Sequence, residues 1–229
     1  MKKVIFVSIL VVMFLQSCKE NVVDIRSGPA AVPRMNLSIG NSWTYNFRIY
    51  NKNGNVTESY NYYRRILRDT MIATDQFYII NEDTAKASNS ISKLAIEKND
   101  GYYEVYSHRD SGSIIRESLL LTYKYPASVN SKYLFPSVFN QTTYDTTTIE
   151  SINSNILVVA GEFNCYKYVT NKNIYGIDSM NIPSVLTIGY EIAYVSEKGV
   201  AKIEAYGFST STRIPYLLAV MELKSYNLK

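Results

Sequence analysis

Histidine is almost missing from this chain: one residue in 229, beside two Cys and one Trp. That set cannot build a multi-His or Cys-cluster metal site from a single chain. The sequence carries no G-x-S-x-G elbow, no G-x-x-x-x-G-K-[ST] loop, no H-E-x-x-H and no C-x-x-C, which removes the motif-borne hydrolase, nucleotide, zinc and redox chemistries. A Ser-His-Asp triad would have to use His108, which opens the polar stretch His108-Arg109-Asp110-Ser111-Gly112-Ser113 and reads as a strand end running into a turn. Asn51-Lys52-Asn53-Gly54-Asn55 offers amide oxygens but no carboxylate, so it reads as a hairpin and not as a Ca²⁺ loop. No catalytic residue, metal or cofactor is assigned.

With 46% hydrophobic and 19% charged residues the chain is neither disordered nor a multi-span membrane protein. It is long enough for one large core. Its aromatic residues are dominated by tyrosine, 21 against 8 Phe. That excess suits half-buried strands, where the ring packs and the hydroxyl stays wet.

The first residues give an address. Met1-Lys2-Lys3 precedes the nearly apolar run Val4–Leu15, then Gln16-Ser17-Cys18, the layout of a signal peptide. Twelve residues span only about 18 Å as a helix, too short for a bilayer core of about 30 Å. Leu15-Gln16-Ser17-Cys18 resembles a bacterial lipobox, with Gln16 larger than the usual small residue. The resemblance implies cleavage before Cys18 and acylation of that Cys. Removing Lys2 and Lys3 lowers the formal charge from +4 to +2, and no basic footprint for nucleic acid is left. Cys165 then has no partner in the chain and reads as a small buried hydrophobe. Lys19-Glu20 resembles the acidic export signal of surface lipoproteins in Bacteroidetes-type bacteria. The expected organisation is a signal peptide over 1–17, a lipidated tether over 18–35 and a single β domain over 36–229. The expected location is the outer membrane, on its periplasmic face or at the cell surface.

From Asn41 the hydrophobic period is two. Trp43, Tyr45, Phe47 and Ile49 alternate with Thr44, Asn46 and Arg48, as in a strand with one face inward. Asn53-Gly54 and Asn99-Asp100-Gly101 mark hairpin turns. Further strands are expected at Val56–Leu67, Phe77–Asn81, Lys93–Glu97, Tyr102–His108, Ile114–Tyr123, Thr142–Ile149, Ile156–Ala160, Cys165–Thr170, Ile188–Val195, Val200–Tyr206 and Leu217–Tyr226. Ile66–Thr74, Pro183–Thr187 and Leu217–Leu223 are the only stretches with helical potential, and none has both a cap and a long 3.6-residue period. The reading is all-β: a single curved antiparallel sheet, or an open or half barrel, of about ten strands with little helix.

Leu37-Ser38-Ile39-Gly40-Asn41-Ser42-Trp43-Thr44-Tyr45 resembles the Gly-Asn-x-Trp-x-Tyr opening of a family of uncharacterised β-rich bacterial lipoproteins. Val159–Lys167 is similar to that family's x-Ala-Gly-Thr-Phe-x-Cys-x-Lys strand pair, with Glu162 in place of Thr. Lys198–Glu204 is similar to its later Gly-Val-Gly-x-Val-Lys turn, with Ala201 in place of Gly, and Met221-Glu222-Leu223 resembles its closing strand. The resemblance implies a curved sheet, akin to the open barrel of lipoprotein-carrier proteins, and no established activity.

Two sets of residues remain as candidate sites. Asp69-Thr70-Met71, Asp83-Thr84-Ala85, Asp145-Thr146-Thr147 and Asp178-Ser179-Met180 match the D-[ST]-[AILVMT] O-glycosylation pattern of Bacteroidetes-type exported proteins. Four of eight Asp sit in such triplets. Asp-Thr and Asp-Ser are also ordinary turn chemistry. As glycan acceptors, Thr70, Thr84, Thr146 and Ser179 should lie on exposed loops or strand ends. Tyr60, Tyr62, Tyr102 and Tyr106 are expected to form an aromatic face for a hydrophobic or glycan ligand. The alternatives are an accessory subunit docking on an outer-membrane protein, and a carboxylate-dependent hydrolase. The latter needs two carboxylates held about 5–10 Å apart, whereas Glu97, Glu104, Glu117, Glu150 and Glu191 read equally well as outward strand positions.

Overall fold

Burial follows the alternation of the sequence. Trp43 and Tyr45 are buried on one face of β1 (Ser42–Tyr50), while the neighbouring Ser42, Thr44 and Asn46 are only half-buried. The structure is a computed structural model that describes residues 32–84, 91–110, 113–136, 144–177, 183–209 and 212–229. Cys18, the tether up to residue 31 and the triplet Asp178-Ser179-Met180 lie outside the described residues.

After β1 come β2 (Val56–Ile72), β3 (Asp75–Thr84), β4 (Ile91–Lys98), β5 (Gly101–Asp110), β6 (Ser113–Lys124), β7 (Lys132–Pro136), β8 (Tyr144–Val158), β9 (Gly161–Ile177), β10 (Pro183–Ser196), β11 (Gly199–Phe208) and β12 (Pro215–Asn227). All twelve form one antiparallel sheet in the order β6-β5-β4-β3-β2-β1-β12-β11-β10-β9-β8-β7. The described residues contain no helix. The all-β reading is correct, with twelve strands in place of about ten. Thr142–Ile149 and Ile156–Ala160 were expected as two strands. Tyr144–Val158 is one strand, β8, whose register against β9 slips twice between Ile149 and Ser154, and Val159-Ala160 form the turn that follows it. β7 lacked an expected counterpart because Pro126 and Pro136 bracket it. The stretches with helical potential are strand as well: β2 runs to Ile72, β10 starts at Pro183, and Leu217–Leu223 lies within β12. The β1–β2 turn is the expected one. Gly54 adopts φ +79°, a conformation glycine takes without steric cost, and its N–H donates to Asn51 O at 3.0 Å.

The sheet curls but does not close by backbone pairing. β6 and β7 are consecutive in the chain yet form its two edges. Tyrosine hydroxyls span the seam: Tyr133 Oη donates to Thr122 O at 2.7 Å and Tyr168 Oη to Lys124 O at 2.9 Å. These bonds occupy backbone acceptors that an edge strand would otherwise offer to another chain.

The base of the barrel is plugged by the segment before β1. Pro33, Met35 and Leu37 are buried and alternate with more exposed neighbours. Arg34 N–H donates to Ser196 O at 3.2 Å, and the Asn36 amide donates to Glu197 O. Asn41 is buried and ties three strands of chain together. Its amide donates to Asn36 O at 2.8 Å, and its Oδ1 accepts from Lys229 N at 2.8 Å. Trp43 Nε1 donates to Lys198 O at 2.8 Å, and Ala160 N–H donates to Leu223 O at 3.1 Å. Each of the four motifs of the family resemblance therefore contributes a residue to these bonds at the base.

Candidate functional site: a tyrosine-lined cavity

Above the plug the barrel encloses a cavity of about 920 Å³ that opens toward solvent. This lies at the upper end of the usual range for small-molecule sites, about 300–1,000 Å³. Tyr123 on its wall belongs to a layer of buried tyrosines. Tyr102 stacks on Tyr123 at 6.1 Å, and Tyr123 meets Tyr168 across the interior at 5.2 Å. Higher up, the wall carries Phe47, Tyr60, Tyr62 and Tyr106, with Leu120, Ile203 and Met221. Phe47 and Tyr60 stack with centroids 5.1 Å apart. A second, more open groove of about 640 Å³ runs under the plug beside Tyr78, Glu97 and Tyr125.

Three of the four tyrosines expected to form an aromatic face are on the cavity wall. Tyr60, Tyr62 and Tyr106 line the cavity, whereas Tyr102 is fully buried and bonds the lining residues Arg64 and Glu104. Their sequence neighbours alternate outward. Tyr63 is exposed, and Tyr103 donates to Asp100 Oδ2 at 2.7 Å. Burial and that hydrogen bond push Tyr103 up to about 12.

A charged network on the β2–β5 wall escaped the sequence reading. Arg64 Nη2 donates to Tyr102 Oη at 2.5 Å and to Glu104 Oε1 at 2.7 Å. Tyr102 Oη donates to the same Glu104 oxygen at 2.7 Å. Arg64 Nε lies 3.8 Å from Glu82 Oε1, within ion-pair range but without a hydrogen bond. Lys93 Nζ sits 2.8 Å from Glu82 and 3.9 Å from Glu104. Two cations therefore face two anions. Desolvation raises the Glu104 pKa, but the charges of Arg64 and Lys93 and the bonds from Tyr102 and Arg64 outweigh it and hold the carboxyl below its ordinary value. Glu104 and Glu191 face the cavity, correcting the outward reading. The available signal was parity, since Glu104 sits between Tyr102 and Tyr106 at a spacing of two. Across the cavity, Lys172 Nζ lies 3.7 Å from the fully buried Asp145 and 3.9 Å from Glu191.

The remaining sequence candidates are placed as follows. Thr70 is third from the end of β2, Thr84 is the last residue of β3, and Thr146 is the third of β8; all three are half-buried. Asp145 is fully buried and accepts the Asn173 N–H at 2.9 Å. Cys165 is 1% exposed, and burial pushes its thiol up to about 12, the opposite of a reactive cysteine. The backbone of His108 lies in β5 opposite Arg116; its side chain lies outside the described residues.

No family model and no curated protein matches the chain. Two solved structures resemble it. One is a Bacteroides fragilis protein assigned as exported, with a YmcC-like fold. It has a TM-score of 0.51 at 14% identity, over 86% of this chain and 100% of that one. The other is a Parabacteroides distasonis protein assigned as a lipoprotein, with a TM-score of 0.49 at 15% identity, over 84% of this chain and 97% of that one. At such identity the first likeness establishes a shared fold and leaves the cavity's ligand open.

The buried phenols make a pH prediction. Burial is the main cause that pushes Tyr45, Tyr62, Tyr102, Tyr123, Tyr133 and Tyr168 above the ordinary tyrosine value, which is about 10. A pKa raised in the folded state contributes stability that is complete below the unfolded value and is lost as pH rises past it. Stability should therefore fall steeply above about pH 10. Alkaline titration followed by tyrosinate absorbance and circular dichroism should show these phenols ionising together with unfolding. Gradual ionisation of every tyrosine in a folded protein would contradict the packing of these rings.

Proposed function

We propose that this is a lipid-anchored outer-membrane protein of the bacterial envelope that catalyses no reaction and binds a hydrophobic or glycan ligand in its barrel cavity. The observation that carries the reading is the cavity itself, about 920 Å³ with aromatic walls and a small set of convergent polar groups, the usual makeup of a ligand site. The lipobox-like Leu15-Gln16-Ser17-Cys18 supports the anchor. Pro33 and Met35, at the end of the expected tether, are buried at the base, so the anchor joins the barrel at the end away from Tyr60, Thr84 and Tyr106. Arg64 and Lys93 hold the Glu104 carboxyl low, so Glu104 does not have the raised pKa of a general acid.

Cys18→Ala should release the protein from the membrane fraction. One acyl chain holds only marginally, whereas the anchor implied for Cys18 carries three. Retention of the variant through a high-salt wash would refute the anchor. Intact mass of the protein from its own host reads the lipid directly. The same spectrum tests Thr70, Thr84, Thr146 and Ser179 as glycan acceptors, since an unmodified polypeptide mass leaves those triplets as turn chemistry.

A further inference from the structure

The charged residues that line the cavity are three cations, Arg64, Lys93 and Lys172, and three anions, Glu82, Glu104 and Glu191; Asp145 does not line it and is buried beside Lys172. Arg64 and Lys93 face Glu82 and Glu104 on one side, and Lys172 lies between Asp145 and Glu191 on the other. An ionic ligand would have to break one of these pairs and leave a buried counter-charge behind. An acyl chain would strip water from the carboxylates and ammonium groups and return no hydrogen bond. An uncharged polyhydroxyl ligand does neither. Its hydroxyls donate to Glu82 and Glu104 and accept from Lys93 and the tyrosine hydroxyls, while its C–H faces rest on rings. Rings stand ready near the opening: the Phe47–Tyr60 stack, and Tyr106, which is 40% exposed. Ser92 and Thr84 add hydroxyls to the same wall.

We propose that the cavity is a saccharide site for short neutral oligosaccharides, with Tyr60 and Tyr106 as stacking platforms and Glu82, Lys93 and Glu104 as hydrogen-bonding partners. This rests on the reading of the cavity as a ligand site and narrows it. Leu120, Ile203 and Met221 are what an acyl chain would use instead, so the experiment carries both arms.

The lipidated full chain in phospholipid nanodiscs is exposed to an array of neutral di- to tetrasaccharides and their acidic counterparts. N-phenylnaphthylamine fluorescence, with empty nanodiscs subtracted, is the apolar arm. Neutral saccharides should bind, with affinity about tenfold weaker in Tyr60→Ala and in Glu82→Gln. Binding should be lost in Ser92→Trp, which fills the cavity from an exposed position and leaves the circular dichroism unchanged. Should Glu82→Gln fail to fold, the Tyr60 and Ser92 variants, at partly exposed positions, still decide. Probe binding that Ser92→Trp removes, without any saccharide binding, overturns this inference and keeps the ligand-site reading. Exclusive binding of acidic saccharides also overturns it. Silence in both arms overturns the inference and the ligand-site reading together.

Discussion

Trp43→Ala is expected to destabilise the fold by about 3–5 kcal/mol, the usual cost of emptying a large core aromatic. Trp43 is 3% exposed, and its indole N–H donates to Lys198 O at 2.8 Å. The β10–β11 turn is shaped around it. Gly199 adopts φ +105°, and a Cβ there would lie 3.1 Å from Trp43 Nε1. The substitution therefore leaves a void at the base, orphans a carbonyl and frees the turn that the plug residue Arg34 bonds next to, at Ser196. Against a total stability of about 5–15 kcal/mol, that is enough to unfold much of the population. Trp43→Phe keeps most of the packing and loses the hydrogen bond, so it should cost less, with about 1 kcal/mol for the bond itself. Urea unfolding followed by circular dichroism separates the two variants. In the wild type, iodide should barely quench the emission of this single tryptophan; ready quenching would place the indole in solvent and remove the basis of the prediction.

How far the sequence could be read depended on which side of the sheet was dry. At the base, where Trp43, Tyr45 and Met35 pack without water, apolar alternation identifies the inward face directly. Residues from each motif quoted for the family resemblance meet there, with Trp43 bonded to Lys198 and Ala160 to Leu223, while Ile203 and Met221 of the same motifs reach the cavity wall. The motifs describe a scaffold. Higher in the barrel the inner face is polar: Arg64, Glu82, Lys93 and Glu104 occupy inward positions with the composition of outward ones. Alternation cannot sort such residues, because both faces of those strands are polar. Pairing of β2, β3, β4 and β5, which brings Arg64 opposite Glu82, is a long-range register that no local pattern contains. Tyr60 and Tyr62, and likewise Tyr102 and Tyr106, were legible as pairs because rings an even number of residues apart in one strand share a face whatever lies opposite.

Arg64→Met is expected to cost about 3–5 kcal/mol, because it removes one partner from a buried ion cluster and leaves the other charged. Arg64 is buried beside Glu82 and Glu104, and its Nη2 serves Tyr102 and Glu104 together. Without it, Lys93 alone faces two carboxylates, at 2.8 and 3.9 Å. The loss should therefore depend on charge more than on volume. Adding Glu82→Gln and Glu104→Gln to Arg64→Met should recover a large part of the stability, since replacing a whole buried ion cluster by neutral groups is often close to neutral. Acid provides a second check. Glu104 is held below its ordinary value, so its contribution is present above the unfolded carboxylate pKa of about 4.3 and disappears as pH falls through the folded value. In Arg64→Met the same carboxyl is buried with less cationic support, and protonation relieves it. The stability gap between wild type and variant should accordingly shrink below about pH 4. A gap that stays constant from neutral to acidic pH would mean that Arg64 acts through packing of its aliphatic stem against Tyr102, and the charge network would have no part in holding the cavity wall.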